Sequence, residues 1–296
     1  MTDEERLYAV GERLRALGYS FVTVTPATHE RVLARGGRGE TLRDVFGWSR
    51  PFAAGALPAD LFELLGPFAV RAGELWKSAV RYSSLQGRLF AHSAFPTVES
   101  DAVFFGPDTY RFASLLEARI QTAGNVADVG CGSGAGGILL ASRAKSVQLL
   151  DINPRALQFA SANAALNGAR VRTAMSDVLS GADGPLDLVV ANPPYLADDL
   201  GRSYRDGGGA LGTALSVRIC EEALDRLQSG GRLLLYTATP VIDGRHLLWP
   251  AIEPLLRNTR FDYRELDPDV FGEELLRPAY AHVERIAVVA LEAFKL

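Results

Sequence analysis

Ala191-Asn192-Pro193-Pro194-Tyr195 follows an apolar run, Leu186–Ala191, and its residue types suit the capture of a planar amino group. Two prolines end an extended segment and remove two backbone donors, which leaves carbonyls free to accept. The Asn192 side chain adds an acceptor and Tyr195 an aromatic face, so an NH₂ group would find partners for both hydrogens and a ring to stack on. Upstream, Asp128-Val129-Gly130-Cys131-Gly132-Ser133-Gly134 places glycines after another apolar run. Such a loop lets a ligand approach the backbone, and a following helix offers free N–H groups to an anion. Asp151 ends the next run, Leu149-Leu150-Asp151-Ile152-Asn153, where a carboxylate can accept both hydroxyls of a ribose or cap a helix. Asp177, in Ser176-Asp177-Val178, ends a third run, where it can accept an adenine amino group or close a turn. The glycine loop alone also fits a dinucleotide fingerprint, Gly130-x-Gly132-x-x-Ala135, with Asp151 21 residues beyond Gly130. A nicotinamide-dependent oxidoreductase is thus a competing reading, but it gives Asn-Pro-Pro-Tyr no task. A silent cofactor-binding module is a third, and it would not need the cradle intact.

These residues require strand ends to hold them, and the pattern from Gly106 onward supplies strand, turn and helix in repetition. Strands are expected at Val126–Val129, Val147–Leu150, Val171–Ala174, Leu186–Ala191 and Arg232–Thr237, with Tyr263–Leu266 and Arg285–Leu291 closing the chain. Helices are expected after the glycine loop, at Pro154–Asn167 with proline at its start and Gly168 at its end, at Ala214–Leu227 and at Leu247–Leu256. Alternation of this kind implies a mostly parallel sheet covered on both faces, with ligands at the carboxyl ends of the early strands. The first hundred residues differ. Asp3–Leu17 has helical spacing and stops at Gly18; a β-branched patch, Phe21–Thr25, and a helical stretch at His29–Ala34 follow, then a Gly/Arg-rich break at Arg35–Gly39. Leu42–Phe46 and Ala59–Leu65 suggest short helices, and Val80–Phe90 with Gly87 a hairpin or wing. The expected division is residues 1–100, a mainly helical, winged-helix-like unit for substrate recognition, and 101–296, the catalytic domain.

From about Val103 to its end the chain resembles class I S-adenosylmethionine-dependent methyltransferases. Within them it is similar to the Asn-Pro-Pro-Tyr amino-methyltransferases, which include HemK-type glutamine methyltransferases and small-domain enzymes of rRNA and DNA. The likeness rests on Asp128–Gly134, Asp151, Asp177 and Asn192–Tyr195, in that order. It implies an α/β fold with a Rossmann-like, mostly parallel seven-stranded sheet, S-adenosyl-L-methionine as cofactor, and no metal. It also implies roles. Asp128, Gly130, Cys131, Gly132, Ser133 and Gly134 would wrap the methionine moiety, Asp151 would hold the ribose, Ile152 would flank the adenine, and Asp177 with Val178 would address its edge. Asn192, Pro193, Pro194 and Tyr195 would hold the acceptor nitrogen, with Asn192 also beside the cofactor. Phe105–Arg111 stands where HemK-type enzymes carry a Pro-Arg-Pro-Glu-Thr-Glu segment, so Thr109 joins the expected cofactor site. The Glu-Pro pair those enzymes carry after the cradle is replaced by Tyr204-Arg205-Asp206-Gly207-Gly208-Gly209-Ala210-Leu211, whose glycines suggest a mobile loop over the substrate. The expected reaction is direct in-line methyl transfer to an exocyclic base amine of rRNA or DNA, with a protein glutamine amide as the alternative.

Composition narrows the field without choosing between these acceptors. With 48% hydrophobic and 22% charged residues among 296, the chain can build cores and is not a disordered protein. It has no apolar run long enough for a membrane span, an acidic start unlike a signal peptide, and only Cys131 and Cys220, which together suggest a cytoplasmic protein. Three of its 31 basic residues are lysines, so 28 are arginines, but 35 acidic residues leave a net charge of −4. Neither half is strongly basic, so a nucleic-acid partner would have to be held by a local arginine patch.

Overall fold

The computed structural model describes residues 1–198, 202, 204–209 and 211–296. Helix α1 (Asp3–Ala16) begins in a reciprocal cap between Thr2 and Glu5 and ends before Gly18, whose φ is +69°. Helices α2 (Pro26–Leu33), α3 (Leu42–Phe46) and α4 (Ala59–Leu65) follow. Two hairpins come next, β1 (Ala69–Ala72) with β2 (Leu75–Ser78), and β3 (Val80–Leu85) with β4 (Arg88–Ser93). Only the second hairpin was expected. The strands of the first are four residues each, one mostly exposed and the other mostly half-buried, so they carry no alternation to read. The β-branched patch Phe21–Thr25 joins no sheet. Its N–H groups turn to hydroxyls, Phe21 N–H donating to Ser84 Oγ at 3.2 Å and Thr23 N–H to the Tyr110 hydroxyl at 3.0 Å, while Phe21 O accepts the Ser84 N–H at 2.7 Å.

The remaining elements are α5 (Pro107–Arg119), β5 (Ala123–Val129), α6 (Ala135–Leu140), β6 (Ala144–Asp151), α7 (Pro154–Leu166), β7 (Arg172–Met175), β8 (Leu186–Ala191), α8 (Ala214–Arg226), β9 (Leu227–Ile242), β10 (Arg245–His246), α9 (Trp249–Ile252), β11 (Thr259–Asp267) and β12 (Arg285–Lys295). Seven strands lie in the order β7-β6-β5-β8-β9-β12-β11, with the two-residue β10 hung on β9. The first five of that order are mutually parallel, and β12 runs antiparallel to both its neighbours, β9 and β11. The chain runs outward from β5 through β6 to β7, then returns to β8 on the other side of β5. That reversal is the topological switch point, where the carboxyl ends of parallel strands leave a crevice.

Both faces of the sheet are covered, as side-chain alternation requires. Val126, Leu149, Val190 and Leu234 enter one core with α5 and α6, while Ala127, Leu150, Val189 and Leu233 enter the other with α8 and α9. A third core gathers α1, the short helices and the second hairpin against Ala156, Phe159, Ala162 and Leu166 of α7. Helix α7 therefore serves two cores, since Ala160 and Ala164 face the sheet.

Candidate active site

Register aligns the site. Val129 pairs with Leu150 on one side and Ala191 on the other, Asp151 pairs with Met175, and Ala191 with Leu235. The residues just beyond, Gly130, Asn192, Ser176 and Tyr236, and the strand-end Asp151, thus share one end of the sheet. A cavity of about 400 Å³ opens there. Of the residues expected at the site, Thr109, Asp128, Gly130, Cys131, Gly132, Ser133, Asp151, Ile152, Asp177, Val178, Asn192, Pro193, Pro194 and Tyr195 all line it.

Gly134 is the exception. It stands outside the lining, at φ +77° before α6, and a methyl group on it would lie 3.1 Å from Ala160, Ile138 and Leu149. Its task is to let the loop turn and pack on the sheet, which is an internal and not a ligand-facing role.

The carboxylates differ in how they are held. Asp151 accepts Gly132 N–H at 2.8 Å and Asn153 N–H at 2.9 Å, so it shapes the glycine loop from the neighbouring strand. Burial raises its carboxyl above the usual range despite those donors. Asp128 is 2% exposed and accepts Gly137 N–H at 2.7 Å. Burial, with the Asp151 charge nearby, pushes its carboxyl up to about 7. Asp177 is half exposed, and Arg218 of α8 pairs with its carboxylate at 2.7 Å. Its N–H donates to Ser180 Oγ at 3.0 Å, so turn closure and lining of the cavity coincide. Val178 beside it adopts φ +49°, a conformation that a β-branched residue holds only under tight surroundings. Ile152 is 59% exposed and offers an apolar surface at the cavity wall.

At the cradle, neither the Asn192 amide nor the Pro193 carbonyl has a hydrogen-bond partner among the described residues, and both remain available to a ligand. Tyr195 packs 6.0 Å from Phe271, ring to ring. Of the glycine run after the cradle, Gly207 is packed against backbone. Leu196 N–H donates to Arg205 O at 3.1 Å and Gly207 N–H to Leu196 O at 2.9 Å. A methyl group on Gly212 would lie 2.5 Å from Tyr195 O and Leu196 C. Ala210 of that run lies outside the described residues. Both cysteines are buried free thiols; burial pushes the Cys131 thiol well up and the Cys220 thiol up to about 12, away from nucleophilic chemistry.

Four further residues line the cavity, Asp108, Phe104, Tyr204 and Pro26, of which Asp108 and Tyr204 belong to segments singled out in the sequence without being assigned to the site. Asp108, 4% exposed, lines the cavity from the first turn of α5 and accepts the Tyr236 hydroxyl at 2.8 Å; Arg111 pairs with it at 3.2 Å. Its partner Tyr236 is 128 residues away, so no local signal marks it. Phe104 and Tyr204 line the mouth with rings parallel to within 7° at 6.0 Å. Pro26, at the start of α2, brings the N-terminal part to the wall.

Residues 105–248 match the family described as the methyltransferase small domain. Fold, cavity and match together liken this part of the chain to class I S-adenosylmethionine-dependent methyltransferases. Among curated relatives, a release factor glutamine methyltransferase of Deinococcus radiodurans is 34% identical over 173 residues, covering 54% of this chain and 59% of its own length. The chain therefore spans a little over half the length of such relatives. Among solved structures, Trm5b from Pyrococcus abyssi is 18% identical with a TM-score of 0.54, covering 76% of this chain and 62% of its own. TYW2 of M. jannaschii in complex with AdoMet is 16% identical with a TM-score of 0.50, covering 77% and 90%. At those identities the two structures speak for the fold alone.

Proposed function

We propose that the chain transfers a methyl group from S-adenosylmethionine to a planar amino nitrogen of a macromolecule, with a protein glutamine amide as the acceptor. The observation that carries this is the adjacency of two open acceptors, Asn192 and Pro193 carbonyl, to the glycine loop across the β5–β8 switch point. The glutamine acceptor, the alternative to a base amine in the sequence, moves ahead because curated relatives bearing that name are 34% identical over 173 and 152 residues. A base amine is the second reading, supported by the parallel Phe104–Tyr204 pair, on which a flat ring could stack.

Bound S-adenosylmethionine supplies an electrophilic methyl group. The chain's own residues do the rest by positioning. Asn192 Oδ1 and the Pro193 carbonyl accept the two N–H bonds of the acceptor, turn its lone pair toward the methyl group and stabilise the positive charge that develops on nitrogen. Tyr195 backs the planar group. Asp151 takes the ribose hydroxyls, Ile152 the adenine face, Asp177 and Val178 its edge, and Asp128 to Ser133 the amino-acid end. Residues 1–100 form the substrate-recognition unit in this reading, supported by their separate core and by Pro26 at the cavity wall. No helix is long and apolar enough to cross a membrane among the described residues; a cytoplasmic enzyme is proposed.

The experiment is incubation of the purified chain with methyl-labelled cofactor and cell extract, followed by separate protease and RNase digestion. Label released by protease and recovered as methylglutamine supports the main reading. Label released by RNase replaces it with the base-amine reading, and no transfer at all overturns both.

A further inference from the structure

Strand β4 pairs with β3 along one edge, and its other edge lies against α7. Leu89 and Ala91 on that edge are buried, and a buried backbone N–H or C=O without a partner is costly. Helix α7 supplies the partners from side chains. The Asn163 amide accepts Ala91 N–H at 2.7 Å and donates to Ala91 O at 2.9 Å. The Asn167 amide does the same for Leu89, at 3.4 Å and 2.9 Å. Four residues of helix rise about 6 Å and two residues of strand about 6.8 Å, so the spacings match. Two asparagines one turn apart stand in for a neighbouring strand.

The amides differ in their second hydrogen. Asn167 donates it to Asn163 O, within α7, at 2.9 Å. Asn163 donates it to Ser133 O, in the glycine loop, also at 2.9 Å. Asn163 has no exposed surface, and Ser133 lines the cavity between Gly132 and Gly134. One buried side chain thus joins the N-terminal hairpin to the loop. The contact is secured from α1 as well: Gly11 leaves room for Leu166, and Arg15 donates to Leu166 O at 2.7 Å.

We infer that Asn163 is a positioning residue that holds the Ser133 carbonyl, and with it the glycine loop, in its cofactor-binding shape while the N-terminal hairpin is docked. The inference rests on the assignment of this loop to S-adenosylmethionine. It makes the N-terminal part a component of the cofactor site as well as a recognition unit. Hairpin docking and cofactor binding then favour one another by linkage.

The test compares Asn163→Asp with Asn167→Asp in the full chain. Each keeps an acceptor for its β4 N–H; a buried carboxyl at position 163 carries at most one hydrogen and cannot serve both Ala91 O and Ser133 O, whereas Asn167→Asp gives up the bonds to Leu89 O and Asn163 O and leaves the Ser133 bond intact. The readouts are S-adenosylhomocysteine affinity by calorimetry, well below the melting temperature of both variants, and hydrogen exchange of residues 130–134 in the ligand-free protein. Asn163→Asp should bind about tenfold or more weakly and exchange faster in the loop, while Asn167→Asp should stay within about twofold of the parent at an equal loss of Tm. Equal affinities for the two variants, or parent-like loop exchange in Asn163→Asp, would overturn the inference. Asn163→Ser replaces Asn163→Asp in the same comparison should the latter fail to fold. A parent chain that does not bind S-adenosylhomocysteine overturns the cofactor assignment instead, and the exchange comparison, which needs no ligand, then decides whether Asn163 holds the loop.

Discussion

Replacing Asp128 by asparagine should stabilise the ligand-free protein at neutral and alkaline pH. Asp128 is 2% exposed at the end of β5, and its one backbone donor is Gly137 N–H at 2.7 Å. Burial and the nearby Asp151 push its carboxyl up to about 7, from an unfolded value near 3.8. An acid whose pKa is raised on folding binds its proton more tightly in the folded state. Stability therefore falls as pH rises through the window from about 4 to about 7, and is level above it. At about 1.4 kcal/mol per pH unit, that window is worth on the order of 4 kcal/mol. Asparagine is nearly isosteric, keeps an acceptor for Gly137 N–H and cannot ionise. The parent and Asp128→Asn should have similar stabilities near pH 4 and diverge above it, the variant being the more stable by a few kcal/mol at pH 8. Urea denaturation of both proteins every half pH unit from 4 to 8.5 reads the difference directly. The shared titration of Asp151, also raised by burial, cancels to first order in that comparison. Parallel stability curves, or a variant less stable than the parent at pH 8, would refute the reasoning. A carboxyl group held at such a cost beside the cavity fits the role proposed for Asp128 at the amino-acid end of the cofactor.

Asp151→Asn leaves one of two N–H donors, Gly132 or Asn153, without a carboxylate oxygen and removes the ribose acceptor. Cofactor affinity should fall about 10–100-fold by calorimetry, and an unchanged Kd would remove the ribose assignment. Gly212→Ala places a methyl group 2.5 Å from the Tyr195 carbonyl oxygen at φ +80°, so the chain leaving the cradle must shift. Transfer should drop by about 100-fold while S-adenosylhomocysteine affinity stays within about twofold; full transfer activity would show that the packed loop does not set the cradle.

The catalytic half was legible because strand ends advertise themselves. Asp151 and Asn192 each follow an apolar run, and a parallel sheet must bring such ends together. Helix α7 was legible from Pro154 and Gly168, its boundary residues. Contacts across long separations were not. Asp108 gains its meaning only from Tyr236, and Asn163 only from Ala91 and Ser133. Gly207 and Gly212 are small so that backbones can meet, and sequence alone does not separate that need from flexibility. Gly134 is the same case within the cofactor loop, since its missing side chain admits Ala160 and Leu149 and not a ligand.

The most direct measurement pairs cofactor affinity with methyl transfer for Asn192→Ala. Asn192 reaches the cavity with its amide unengaged by the described chain, so its loss should leave folding and S-adenosylhomocysteine affinity within about threefold of the parent. Transfer of labelled methyl to the acceptor should fall by about 100-fold or more, because positioning and charge stabilisation are both lost. Transfer at the parental rate, with the cofactor still bound, would contradict the assignment of the cradle.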